Sequence, residues 1–372
     1  MASFLRHLKG RRGLVLLVLV AAAAAGGGLV SRDRAVRMAS GPLTATRLHI
    51  SQKKAPPPPK ALQDDLAAVA ADFREPLGVA VTDVSAGWTA GVDKDRPYPQ
   101  QSVSKLWVAI TVMKAIDQGR VAWDAPVTLT EADRSVFFQP VAYNIRGEGY
   151  QTHISDLLRR ALVESDNAAN DRLMREMGGP DGVSAALFDM GLTSVKVGAY
   201  ERDLQARTAG MTWRPEYGIG WNFQAAREQQ PKAEREAAMA AYLADPLDGS
   251  SPAGITTALA ALSRGELLSP DSTQKILALM HAARTGPMRL KGGLPPGWSI
   301  AHKTGTGQDF EGYANGINDV GLLTAPDGHV YAVAVMMRHT RKPVPERLPF
   351  MQAVTRAVAA QWQRDKAGDA SL

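Results

Sequence analysis

Hydrophobic and polar residues recur with two different periods along this chain, and the periods divide it into helices and strands. Residues 61–73 (ALQDDLAAVAADF) place their apolar positions on one face of a helix. Residues 77–84 and 88–93 form two strand-like runs joined by a short Ser-Ala-Gly turn. The apolar run at 101–117 contains neither Gly nor Pro, so it predicts a largely buried helix.

The middle of the chain, about 121–270, lacks clear strand alternation and is rich in helical patterns. The helices predicted there are 153–163, 167–177, 183–190, 232–243 and 255–264. Strand-like runs return at 298–307, 318–325 and 330–338, and a closing helix spans about 346–364. We therefore predict an α+β fold, in which an antiparallel sheet is flanked by terminal helices and interrupted by an inserted all-helical subdomain.

The first 60 residues differ in charge from the rest. They hold eleven of the 43 basic residues and one of the 37 acidic residues, so they carry a charge of +10 and the remainder of the chain carries −4. The basic balance therefore belongs to this segment. It does not indicate a nucleic-acid surface on the folded body, and no nucleic-acid partner is expected.

This segment also has the pattern of an export signal. Residues 13–30 are uncharged and follow a basic stretch, which predicts either a cleaved signal peptide or an uncleaved membrane anchor over 1–30. Residues 31–60 end in APPPPK and predict a Pro-rich linker. With either alternative the body at 61–372 is exported, and we expect it in the periplasm. A monomer is expected, although the sequence leaves the oligomeric state open.

Two motifs place candidate chemistry at helix ends. Ser102 and Lys105 are three residues apart at the start of the buried helix, so a hydroxyl and an amine share one face. Covalent acyl transfer needs such a pair. Ser165-Asp166-Asn167 falls between two predicted helices, where a helix cap is the simpler interpretation of the tripeptide alone. The chain has no cysteine and no paired histidine spacing, so neither a metal nor another cofactor is expected.

A third motif, Lys303-Thr304-Gly305, lies at the end of a predicted strand. In the order S-x-x-K, S-D-N and K-T-G, the three motifs resemble those of the serine β-lactamase and penicillin-binding superfamily, and of class A most closely. The resemblance covers about 61–372. It implies a β-lactamase-like fold and an enzyme that opens β-lactam rings through an acyl-enzyme on Ser102.

The resemblance also implies the role of each site residue. Glu201 lies 36 residues after Ser165, the offset at which class A enzymes carry the glutamate that activates the deacylating water. The implied catalytic residues are Ser102, Lys105, Ser165 and Glu201. The implied substrate-binding residues are Asn167, Gln205, Arg289, Lys303, Thr304, Gly305 and Thr306. The proton of Ser102 passes either to Lys105 or through water to Glu201, and the sequence leaves both routes open.

The segment around Glu201 departs from the family. An Arg two residues before this glutamate and an Asp thirteen after it usually clamp the loop, whereas this chain has Ala199 and Arg214. An unusual insert also spans about 206–250. Its aromatic residues include Trp213, Tyr217, Trp221 and Phe223. We expect these four side chains to pack the loop in place of the clamp. Alternatively, they form a lid or contact a partner.

Two other functions use the same motifs. A penicillin-binding D,D-peptidase or transpeptidase would not need Glu201 but would share Ser102, Lys105, Ser165, Asn167 and Lys303. A non-catalytic periplasmic binding protein on the same fold would need none of them as catalysts. Retention of both the nucleophile and its amine favours an enzyme over a binding protein.

Overall fold

The structure is a computed structural model that describes residues 55–369. The predicted export segment and most of the predicted linker lie outside the described residues. No helix within the described range is both long enough and apolar enough to cross a bilayer.

Seven strands and eleven α-helices are present between residues 55 and 369. The strands are β1 (Leu77–Asp83), β2 (Thr89–Val92), β3 (Pro126–Leu129), β4 (Tyr150–His153), β5 (Ser299–Gly305), β6 (Ala314–Thr324) and β7 (Val330–Thr340). The helices are α1 (Lys60–Phe73), α2 (Ser104–Asp117), α3 (Ile154–Arg159), α4 (Asn167–Glu176), α5 (Gly179–Asp189), α6 (Glu201–Thr208), α7 (Asn222–Gln229), α8 (Lys232–Ala244), α9 (Pro252–Ser263), α10 (Pro270–His281) and α11 (Val344–Asp369).

Five of the strands form one antiparallel sheet in the order β2-β1-β7-β6-β5. Val79 of β1 lies opposite Val335 of β7, and Lys303 of β5 lies opposite Val320 of β6. The first and last described strands, β1 and β7, are therefore neighbours in the sheet. The helical subdomain is inserted in the sequence between β2 and β5. The α+β architecture predicted from the sequence is confirmed.

Two apolar layers hold the sheet between helices. On one face, Leu66 of α1 and Met351 of α11 pack with Val333 of the sheet. On the other face, α2 and α9 pack against Val320 and Ala334 as part of the larger core of the helical subdomain. Because the core side chains of β6 and β7 alternate between these two layers, both faces of the central strands are buried.

Helix α2 is the centre of the helical subdomain. It has apolar residues on all sides, and Trp107, Ile110 and Met113 are fully buried. A helix that is apolar all round must be enclosed by other elements. Its N-terminus is therefore held firmly at the boundary between the subdomain and the sheet.

The sequence missed several short elements in the helical subdomain. Strands β3 and β4 pair as a separate two-stranded sheet inside the region that was predicted to be all-helical. Each has only four residues and exposes alternate positions, so neither produces a sustained pattern. Helices α6, α7 and α10 were also not predicted, and α6 and α7 have eight residues each.

The packing of α1 on the sheet gives a test of the fold. Leu66 is 1% exposed, and its replacement by Ala leaves a cavity between α1 and the sheet. We expect Leu66→Ala to lower the free energy of unfolding by about 2–5 kcal/mol in urea titrations. Leu247→Ala is the control, because that side chain is 42% exposed. An equal loss in both variants would contradict the assigned packing.

Candidate active site

The predicted nucleophile lies at the start of the buried helix. Ser102 is the middle residue of a single 3₁₀ turn, Gln101–Val103, that leads into α2. Gln101 has a φ of 53°, a left-handed conformation that costs energy for a residue other than Gly. The Nζ atom of Lys105 donates a hydrogen bond to the Oγ atom of Ser102 over 2.6 Å. The hydroxyl and the amine are therefore in contact, as their spacing predicts.

Glu201 is the first residue of α6, and its carboxylate reaches the same lysine. The Oε2 atom of Glu201 lies 2.8 Å from Nζ of Lys105, and both side chains are at least 96% buried. Gln205, one turn later, donates from Nε2 to Oε1 of Glu201 over 2.8 Å. Burial raises the pKa of Glu201, but the Lys105 charge and these hydrogen bonds outweigh it, so the pKa lies below its ordinary value.

A buried aspartate fixes the backbone at the start of α6. The Asp171 carboxylate accepts hydrogen bonds from the N–H groups of Glu201 and Arg202 over 2.7 and 3.2 Å, and from the Ser135 hydroxyl over 2.8 Å. A carboxylate at this position satisfies free helix N–H groups. Sequence analysis missed Asp171, because it looks like an ordinary polar position within a helix.

The residues that stand in the usual clamp positions do not clamp this loop. Ala199 has no charge, and the side chain of Arg214 is 67% exposed with Glu216 3.8 Å away. Part of the expected aromatic packing is present instead. Phe223 is 1% exposed within a cluster that includes Val136 and Ala206.

The other aromatic residues of the insert divide into two groups. Trp213 and Tyr217 pack beside Phe223 with edge-to-face rings. Trp221 is 78% exposed, so the prediction that it packs the loop is wrong. A tryptophan beside a packed cluster has no signature in sequence that separates it from its buried neighbours.

Ser165 lies at a sharp junction between two helices. Helix α3 continues into a π-helical turn, Arg160–Glu164, and Ser165 ends it with a φ of 65°. The Asp166 side chain then caps α4 by accepting from the N–H of Ala169 over 2.9 Å. The predicted cap is therefore present at Asp166, and the junction directs Ser165 into the cleft.

Lys303 of β5 faces Ser165 from the sheet. Its Nζ atom donates to the Ser165 hydroxyl over 2.9 Å and to the carbonyl oxygen of Thr304 over 2.9 Å. Burial lowers the pKa of Lys303 well below its ordinary value, and the nearby charge of Lys105 lowers it further. Lys303 is thus a buried amine with an enhanced tendency to release a proton.

The end of β5 packs closely against the start of the nucleophile turn. A Cβ atom on Gly305 would lie 2.3 Å from the carbonyl oxygen of Gln100, so only Gly fits. Thr304 and Thr306 stand on either side of this glycine and line the cleft, and the Thr306 hydroxyl accepts from Arg289 over 2.7 Å. Arg289 also donates to the carbonyl oxygens of Gly305 and Asn318.

These elements enclose a cleft of about 500 Å³. Eight of the eleven predicted site residues line it: Ser102, Ser165, Asn167, Glu201, Gln205, Arg289, Thr304 and Thr306. Lys105 and Lys303 lie behind the wall as fully buried amines. The Asn167 amide donates to the carbonyl oxygen of Val136 over 2.8 Å, which fixes its orientation.

Other lining residues were not predicted. Phe137 and Phe138 stand at the mouth of the cleft, and Gln308 and Arg227 form part of its wall. Arg227 belongs to α7 of the insert, so the insert borders the site. Among the described residues no cluster of His, Asp or Glu could hold a metal ion.

Comparison with known proteins finds several β-lactamases that are similar to this chain. A model of the Beta-lactamase enzyme family matches residues 61–362. The chain is 27% identical to Beta-lactamase VEB-1 of Pseudomonas aeruginosa over 72% of this chain and 78% of that protein. A solved beta-lactamase from Chitinophaga pinensis is 26% identical, with a TM-score of 0.65 over 80% of this chain and 97% of that one.

A variant of the last common ancestor of Gram-negative bacteria beta-lactamase class A is also similar. It is 27% identical, with a TM-score of 0.65 over 82% of this chain and 99% of that structure. The family match covers most of the chain, including all eleven residues that the sequence indicated. The chain belongs to the beta-lactamase enzyme family, as a serine β-lactamase of class A.

Proposed function

We propose that this enzyme opens β-lactam rings through an acyl-enzyme on Ser102 and releases the product with a water molecule activated by Glu201. One observation carries the proposal. The Nζ atom of Lys105 lies 2.6 Å from the Ser102 hydroxyl and 2.8 Å from the Glu201 carboxylate. The nucleophile is therefore in direct contact with Lys105, and Lys105 in turn with the carboxylate of Glu201.

Acylation begins when Oγ of Ser102 attacks the lactam carbonyl carbon. The Lys105 ammonium first passes a proton to Glu201 and then takes the hydroxyl proton, or the hydroxyl proton passes through a water molecule to Glu201. With either route Glu201 holds the added proton and Lys105 is charged again. Backbone N–H groups of Ser102 and Thr306 stabilise the negative charge that develops on the carbonyl oxygen. The carbon–nitrogen bond of the ring then breaks.

The departing ring nitrogen needs a proton, and Ser165 supplies it. The hydrogen bond from Lys303 to the Ser165 hydroxyl supports this role, because an ammonium whose pKa is lowered by burial readily gives Ser165 a proton in place of the one it passes on. Ser165 and Lys303 therefore act as a pair, with Ser165 in contact with the reacting nitrogen.

Deacylation depends on Glu201. Its lowered pKa keeps it ionised at neutral pH, so it can accept a proton from a water molecule that attacks the acyl carbonyl. Gln205 lines the cleft beside it and helps to hold this water. A D,D-peptidase needs no such base, and a buried carboxylate in contact with Lys105 favours the β-lactamase reaction.

The substrate is held on both sides of Ser102. Arg289, Thr304 and Thr306 bind the carboxylate of the β-lactam, for which a fixed cation and two hydroxyl groups are suitable partners. Asn167 binds the side-chain amide. Lys303 and Gly305 of β5 form the rest of the site that binds this carboxylate. The uncharged run at 13–30 supports export, so we propose that the catalytic body acts in the periplasm.

The nucleophile can be tested by removing one oxygen atom. We expect Ser102→Ala to abolish turnover of a chromogenic cephalosporin, because no other group can form the acyl-enzyme. Ser272→Ala is the matched control, since its buried hydroxyl binds Asp117 at the opposite end of α2 over 2.6 Å. Equal rates for the wild type and Ser102→Ala would exclude the proposal.

The base can be tested by trapping the intermediate. We expect Glu201→Gln to become acylated and to deacylate at least about 100-fold more slowly, in line with the usual contribution of a general base. Mass spectrometry detects the added mass of the opened penicillin on the intact protein. Asp203→Asn, on the same helix, is the control. Normal turnover by Glu201→Gln would mean that another group activates the water.

The same measurement separates the two enzyme classes. A fluorescent penicillin is expected to leave wild-type protein within the assay, whereas it stays attached to Glu201→Gln. Persistent labelling of the wild type would instead support the D,D-peptidase alternative.

Asp171 gives a pH-dependent prediction. Burial, and then the nearby charge of Glu201, raise its pKa to about 6. The folded state therefore binds more protons than the unfolded state between about pH 4 and 6, and this group lowers stability as the pH rises through that window. Asp171→Asn removes the contribution, which is about 3 kcal/mol for a shift of two pKa units.

Urea unfolding at several pH values measures this contribution. We expect the difference in unfolding free energy between Asp171→Asn and wild type to move in favour of the variant from pH 4 to pH 7. A constant difference over this range would show that Asp171 does not titrate as its burial implies.

A further inference from the structure

The insert places a buried tyrosine next to the active site. Met239 and Tyr242 are the two buried residues of α8, and both pack against Leu204 of α6. The Tyr242 side chain is 7% exposed, and its hydroxyl points away from solvent. A buried tyrosine hydroxyl usually has a hydrogen-bond partner, and this one has two.

These partners connect the insert to the nucleophile turn. The Tyr242 hydroxyl donates to Oδ1 of Asp248 over 2.9 Å and accepts from Nε2 of Gln101 over 2.6 Å. Asp248 also accepts from the backbone N–H of Gln101 over 2.6 Å through its other oxygen. Gln101 precedes Ser102, so the backbone and the side chain of the residue before the nucleophile are both bound by this pair.

The side chain of Gln101 then continues toward Glu201. Its Oε1 atom accepts from Nε2 of Gln205 over 2.8 Å, and the second hydrogen on that nitrogen goes to Glu201 over 2.8 Å. Gln308 donates to Oε1 of Gln205 over 2.9 Å. The amides of Gln101 and Gln205 therefore have both their oxygen and their nitrogen ends occupied.

The direction of this chain is fixed by the carboxylates at its two ends. Burial raises the pKa of Asp248 to about 6, so at pH 7 and above its ionised form can only accept. The Tyr242 hydroxyl must then donate to Asp248 and accept from Gln101. Gln101 consequently presents its oxygen to Gln205, and Gln205 presents its NH₂ group to Glu201.

We propose that Tyr242 is a positioning residue for deacylation, acting through Gln101 and Gln205 to hold the amide of Gln205 toward Glu201. This proposal rests on the proposed role of Glu201 as the base. It gives the insert a function in the reaction: α8 supplies the hydroxyl that makes one amide orientation favourable, and neither Tyr242 nor Asp248 touches the substrate.

Removal of the hydroxyl tests the proposal. In Tyr242→Phe the Nε2 atom of Gln101 loses its acceptor, so the Gln101 amide is free to turn and Gln205 loses its orienting partner. We expect the deacylation rate constant to fall about three- to tenfold, the range that one hydrogen bond supports, while the acylation rate constant changes less than twofold. Stopped-flow measurement of a penicillin ester intermediate separates the two constants.

A pH profile distinguishes this role from a structural one. A carboxylate that loses its oriented hydrogen bond has a raised pKa, so we expect the acidic limb of deacylation to move to higher pH in Tyr242→Phe. The titratable groups that face Glu201 are Lys105, Lys303, Asp171, Asp248 and Tyr242 itself. Only Tyr242 differs between the two proteins.

Tyr98→Phe is the matched control. Tyr98 is also buried, and its hydroxyl also donates to a carboxylate, that of Asp93 over 2.5 Å. It has no side-chain hydrogen bond to Gln101 in the described structure. We expect this variant to lose stability with no change in the ratio of deacylation to acylation. A similar change of that ratio in both variants would overturn the proposal.

Gln101→Met provides a second route to the same result. It breaks the chain in the middle, so we expect slow deacylation in the single variant and no further slowing in the double variant with Tyr242→Phe. Additive effects on deacylation would overturn the proposal. Trapping by Glu201→Gln, together with normal deacylation in Tyr242→Phe, would reject the positioning role and leave the proposed function intact. Deacylation of Glu201→Gln at the wild-type rate would reject the proposed function itself.

Discussion

The buried amine of Lys105 is the interaction on which the site depends. It lies between the Ser102 hydroxyl on its own helix turn and the Glu201 carboxylate on α6, and all three groups are within 2.8 Å of their neighbours. Taking both charges of this pair out of water is unfavourable unless hydrogen bonds satisfy the remaining polar atoms. The second oxygen of Glu201 is bound by Gln205, so the pair is stable only when α6 has its present position.

Local spacing made part of this arrangement predictable. Ser102 and Lys105 share a helix face at an offset of three residues, and their contact follows from helix geometry alone. The antiparallel sheet and its enclosing helices also followed from the change of hydrophobic period. No hydrophobic period predicted the hydrogen bond between Lys303 and Ser165, because the two residues lie far apart in the chain. Only the resemblance to a family indicated that they share one site.

The support around Glu201 could not be predicted from sequence. Asp171 lies within an ordinary helical pattern, and its role depends on where α4 crosses the start of α6. Ala199 and Arg214 stand at the positions where the family usually has its clamp, and neither can form it. The acid that binds the nucleophile turn is instead Asp248, close to the end of the insert. Because a long insertion separates Asp248 from Glu201 in the chain, no fixed offset in the sequence predicts this contact.

Helix α6 is too short to be stable by itself, since it has eight residues and isolated helices need more turns than this. It is held from three directions: by Asp171 at its N-terminus, by Lys105 through the Glu201 carboxylate, and by α8 through Leu204. The first two contacts join it to the helical subdomain, and the third joins it to the insert. Because one of these contacts comes from α8, the insert is part of the scaffold that orients the base. The hydrogen bonds of its Tyr242 reach the same helix through Gln101 and Gln205.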